Sequence, residues 1–88
     1  MVLVEFEARV RTDRLEGFYC PTSILPGQKC SFQTTVSQPS PPNGGPQTIY
    51  KMYTFTQTVS SDRHIIFSVP ADVPLGTFHF AILISVIG

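Results

Sequence analysis

Residues 60–64, Ser-Ser-Asp-Arg-His, place two hydroxyls, a carboxylate and an imidazole in five consecutive positions. These are the group types of nucleophilic acyl transfer. Relay chemistry needs them aimed at one another in series, whereas neighbours along a tight turn do not orient one another, so the cluster reads as a solvated turn. His79 has the parity of Thr77 and Ala81 and reads as a surface or interface histidine. Cys20 and Cys30 flank a Pro26-Gly27 turn. A disulfide between them would close a short loop and contribute about 2–3 kcal/mol; the alternative is a pair of thiols. With only His64 and His79 elsewhere in the chain, the two sulfurs lack the spacing of a metal site, and no metal or cofactor is expected.

Two binding chemistries have fragments in the sequence. Tyr50, Lys51 and Tyr53, with Arg9 and Arg11 on another segment, offer part of what stacks and neutralises a nucleic-acid single strand. Lys51 and Tyr53 share a side that Tyr50 does not, and six basic residues balance six acidic ones, so long-range attraction to a polyanion is absent. Phe55, Phe67 and Phe80 could line a cavity for an apolar ligand. Glu5 and Glu7 continue into Arg9 and Arg11 on one side and read as a salt-bridged solvent face rather than a catalytic carboxylate pair. There is no glycine-rich phosphate loop. The expectation is a protein that is not an enzyme.

The elements that must position these residues are strands. Val2 to Arg11 alternates strictly, with Val2, Val4, Phe6, Ala8 and Val10 on one side and charges at 5, 7, 9 and 11 on the other. Those charges also exclude a signal peptide. Residues 12–28 read as irregular, with Leu15, Phe18 and Tyr19 covering a core edge, Pro21 excluding a central strand and Pro26-Gly27 forming a turn. Lys29 to Gln38 alternates again. Pro39 to Pro46, with four prolines and two glycines, is a loop. Gln47 to Ser60 predicts a long strand, or two around a bulge. His64 to Val69 predicts a short one, joined to its predecessor as a hairpin through Ser60–Arg63. Pro70 and Pro74 bracket a turn.

Thr77 to Ile87 is the most apolar segment. Phe78, Phe80, Ile82, Ile84 and Val86 form a core face, while the other face begins polar and turns apolar at Leu83 and Ile87. An edge strand of this kind would invite foreign pairing, so the segment belongs at the centre of a sheet or at a subunit interface. The nearly apolar run 80–88 is too short for a membrane helix.

Two stretches, ILPGQKCSFQTTV (24–36) and VPADVPLGTFHFAI (69–82), resemble pieces of immunoglobulin-like or fibronectin-like modules. In the immunoglobulin pattern the second would carry aspartate, glycine, tyrosine and cysteine at alternate positions; this chain has Pro74, Gly76, Phe78 and Phe80. The tyrosine corner and the usual inter-sheet disulfide partner are therefore missing, and the resemblance carries no functional residues with it. Length and strand pattern predict one all-β domain over residues 1–88 with five to seven antiparallel strands, and the resemblance implies a small sandwich, either whole or one module of a longer protein. The alternative is a small β-barrel. The expected function is non-catalytic: contact with another protein chain, or self-association, through His79, Leu83 and Ile87. The alternative functions are single-strand binding and apolar-ligand binding. A Cys20–Cys30 bridge would favour an extracellular or cell-surface setting.

Overall fold

The computed structural model describes residues 1–39 and 48–87. The expected Pro39–Pro46 loop lies, apart from Pro39, outside the described residues. The described residues form six strands: β1 (Val2–Val10), β2 (Leu15–Tyr19), β3 (Lys29–Ser37), β4 (Ile49–Thr58), β5 (His64–Ser68) and β6 (Gly76–Val86). They make a four-stranded sheet in the order β1-β6-β3-β4 and a two-stranded sheet, β2-β5, with every pairing antiparallel. There is no helix among the described residues, and so none long and apolar enough to cross a membrane.

The alternation read in β1 sets its faces. Leu3, Glu5, Glu7 and Arg9 are exposed, Val10 is buried, and Val2, Val4, Phe6 and Ala8 are half-buried because β1 is an edge strand. β6 lies between β1 and β3, as its apolar sequence requires, and Phe78, Phe80, Ile82 and Ile84 are buried on its inner face. Phe32, Thr34 and Val36 of β3 continue the same layer. The small sheet lies over it, with Phe18, Ile65 and Phe67 facing inwards. Phe18 meets Phe32 edge-on at 6.2 Å, and Phe55 stacks on both Phe32 (4.9 Å) and Phe67 (5.2 Å). Both sheets therefore share one aromatic core, the main source of folding free energy in a chain of this size.

Two expectations are corrected. Leu15–Tyr19 is a strand, not irregular chain. Gly17 accounts for the register: the His64 imidazole lies so close above it that a Cβ would come within 2.9 Å of Nε2. The second correction concerns β4 and β5, which are not a hairpin: β4 pairs with β3 and β5 with β2. The Ser60–Arg63 turn instead carries the chain from one sheet to the other, closed by Arg63 N–H donating to Ser60 O (3.0 Å), with Arg63 at φ 61°. β4 is one continuous strand that carries a bulge: Val36 faces Lys51 and Ser37 faces Ile49, which leaves Tyr50 as the extra residue. Gly27 takes φ 88° in the turn before β3, as Pro26-Gly27 requires, and Pro70–Val73 closes as a turn through Val73 N–H to Pro70 O (3.1 Å).

Candidate interaction surface

The central position of β6 gives its odd-numbered side chains to the outer face of the large sheet. His79, Leu83 and Ile87 all lie there, spaced along the strand. Leu83 is half-buried, flanked by Leu3 of β1 and Gln33 of β3 as register partners. Leu3 is 56% exposed and Ile87 42%; Leu3 and Leu83 make an apolar strip across β1 and β6, and Ile87 follows on the same face beyond Ser85. The sequence pointed to Leu83 and Ile87 but not to Leu3, whose contribution depends on strand order. His79 stands at the other end of the strip, its Nε2 3.4 Å from a Glu5 carboxylate oxygen. β6 packs against β1 and β3 within its own sheet. Towards β4 the outer face carries hydroxyls, Ser31 and Thr35 on β3 and exposed Thr54, Thr56 and Thr58 on β4, together with exposed Gln33 and Met52.

The remaining candidates fall elsewhere. The Ser60 hydroxyl donates to the Asp62 carboxylate and has His64 O as a second acceptor within reach (3.1 Å), while His64 N–H donates to Asp62 (3.1 Å). The hydroxyl and carboxylate thus cap the turn backbone, and the Asp62 carboxyl is held below its ordinary range by the Ser60 hydroxyl and then by the His64 N–H. The imidazole points away, over Gly17 and beside Tyr19 at a ring separation of 4.5 Å. Tyr50, Lys51 and Tyr53 are not gathered with Arg9 and Arg11, because β4 and β1 are opposite edges of the sheet. Lys51 is paired with Asp72 at 2.9 Å, and Tyr50 packs edge-on against Phe78.

Phe55, Phe67 and Phe80 do come together, but as packed rings: Phe67 lies 5.2 Å from Phe55 and 6.0 Å from Phe80. The space beside them is an open groove of about 310 Å³ between β4 and β5, bounded by Leu15, Tyr53, Phe55, Gln57, Ile66, Phe67 and Ser68. It exists because the small sheet stops short of covering β4. Across its mouth Gln57 Nε2 donates to Ile66 O at 2.6 Å.

Cys20, just past β2, and Cys30, on β3, are buried free thiols belonging to opposite layers of the core. Burial raises both above the ordinary thiol value; for Cys20 the neighbouring Cys30 adds to the rise and Arg63 opposes it. Among the described residues no three His, Cys, Asp or Glu side chains gather into a possible metal site. Compared with protein-family models, with curated proteins and with solved structures, the chain matches none.

Proposed function

We propose that this chain is a non-catalytic β-sandwich module, immunoglobulin-like or fibronectin-like in general build, that associates with another protein chain through the outer face of its four-stranded sheet. The sandwich reading is supported by two sheets that share a core without any strand pairing between them, which leaves the ladder open where a barrel would close it. The single observation that carries the functional reading is the Leu3–Leu83 pair, an apolar patch across the edge strand and its neighbour on the outer face of the larger sheet, with exposed Ile87 on the same face four residues further along. Hydroxylic neighbours give it the polar surround of an interaction surface.

Leu83→Lys tests this. Thermal unfolding and solution mass are measured on the same samples. The reading expects an unchanged melting temperature together with loss of association, since a lysine on an outer face can hold its ammonium in water. A fall in stability with association intact would place Leu83 in the protein's own core. No change in either would remove the face from the interface. The open groove beside Phe55 and Phe67 favours a second reading, an apolar-ligand site. Saturable binding of an environment-sensitive fluorescent probe, lost in an Ile66→Glu variant, is its expected signature.

A further inference from the structure

β1 ends the four-stranded sheet, and among the described residues no strand pairs with its outer edge. Which of its backbone groups face that edge follows from the ladder. Ile87 N–H donates to Lys29 O at 2.8 Å, so the odd-numbered residues of β6 turn their backbone groups towards β3 and the even-numbered ones towards β1. In the β1–β6 register even residues face even ones, from Val2↔Ile84 to Val10↔Gly76. The N–H and C=O groups of Leu3, Glu5, Glu7 and Arg9 therefore point out from the free edge.

The side chains on those residues read, from position 5, Glu, Glu, Arg, and then Arg11 beyond the strand end. All four are exposed on the outer face or its continuation. Charges on an edge strand ordinarily discourage pairing. Here the order is self-complementary: run antiparallel against itself about Ala8, the segment sets Glu7 against Arg9 and Glu5 against Arg11, twice each. The register also matches the backbone of the strand, because the outward groups of β1 belong to odd residues and Glu7 meets Arg9. Arg11, beyond the strand end, turns its carbonyl to Arg14 N–H (3.0 Å) and lies 3.4 Å from Asp13, so it meets Glu5 through its side chain alone, in exchange for Asp13. The neighbouring registers allowed by that parity place Glu7 on Glu7 or Arg9 on Arg9.

We propose that a second copy of this chain docks on β1, antiparallel and about a two-fold axis through Ala8, joining two four-stranded sheets into one. The axis needs a small inward side chain, because directly opposed residues outside the hydrogen-bonded pairs approach to about 4.5 Å between Cα atoms; alanine meets that need. On the inner face Phe6 of each copy comes to lie beside Val10 of the other, covering a ring that the isolated chain leaves half-buried. The proposal rests on the reading of the chain as an associating module, and it adds the partner's identity and a second contact, at the edge beside the Leu3–Leu83 strip.

Charge exchange tests the register. Two variants, Glu5→Arg with Glu7→Arg and Arg9→Glu with Arg11→Glu, are measured alone and mixed in equal amounts by sedimentation at low and high salt. Each alone is expected to dimerise at least about tenfold more weakly than the natural chain, the mixture to recover the dimer at low salt, and high salt to weaken that recovery. Should either charge variant fail to fold, Ala8→Cys replaces it: mild oxidation is expected to link two chains across the axis, within disulfide reach. Undiminished dimerisation of both charge variants, a mixture that stays monomeric, or no Ala8→Cys cross-link overturns the proposal. Leu83→Lys in parallel separates the two claims. Association lost with Leu83→Lys but indifferent to charge exchange keeps the face and removes the edge, and the reverse pattern keeps the edge and removes the face.

Discussion

Tyr53 shows how a single group can report on the incomplete cover over β4. Its hydroxyl is shielded and, like that of its cross-strand neighbour Thr34, reaches no hydrogen-bond partner of good geometry. Burial pushes its ionisation up to about 12 from an ordinary value of 10.0, with Thr34 pulling the other way. A raised value favours the protonated form in the folded chain. The unfolded chain then loses its proton first, so stability is full below pH 10 and falls as pH rises through about 12. Alkaline unfolding followed by phenolate absorbance is expected to show this slope, and Tyr53→Phe to remove it while changing neutral-pH stability by less than about 1.5 kcal/mol, the range of a single hydrogen bond. A slope unchanged in Tyr53→Phe would contradict the assignment. Cys20 and Cys30 make a parallel case. Buried and with raised ionisation, they are expected to resist iodoacetamide at pH 8 until the chain unfolds; rapid labelling of the native chain would contradict their placement.

At the scale of elements, the two passages from the large sheet into the small one each hold an arginine in left-handed conformation, Arg14 (φ 52°) before β2 and Arg63 (φ 61°) before β5. Each also closes one end of the small sheet: Arg14 O accepts from Val69 N–H and Arg63 O from Cys20 N–H. The Arg14 guanidinium additionally donates to Pro70 O (3.2 Å) and Val73 O (2.6 Å), fastening the turn that precedes β6. Arg14→Ala is expected to cost about 1.5–3 kcal/mol in urea unfolding, the range for hydrogen bonds from a charged group; a cost under about 0.5 kcal/mol would show that the turn holds without it. These passages explain what could be read in advance. β1, β3 and β6 were legible because each sets a run of apolar residues against one inner layer, so period two survives in the sequence. β2 was not, because Glu16 and Gly17 dilute its pattern and its strand conformation depends on pairing with β5. Nor was the sheet change at residues 60–63: an arginine at positive φ leaves no compositional mark, and a short turn between two strand-like runs has the form of a hairpin. The Glu5–Arg11 charge order was plain in the sequence, but its position on a free edge emerges only from the strand order.

For the whole molecule, a two-stranded layer over a four-stranded one leaves both long edges of the larger sheet unpaired among the described residues. The edges differ. β4 carries a single charged side chain, Lys51, already held by Asp72, whereas β1 carries a mixed and self-complementary set. Next to β1 lies the Leu3–Leu83 strip, so the apolar and charged features fall on one side of the molecule, consistent with a single region of association. Core substitutions should act differently from surface ones. Phe80→Ala, at a fully buried ring stacked on Phe6 at 5.4 Å, is expected to cost about 3–5 kcal/mol, most or all of the stability of a domain this small. Leu83→Lys and the β1 charge variants should change mass without changing the melt. The central claim, that this chain associates with its own kind, is tested most directly by light scattering of the natural protein over a concentration series at low salt. The account predicts a mass that rises with concentration from 9.7 kDa towards twice that value; a mass that stays at 9.7 kDa throughout the series would contradict it.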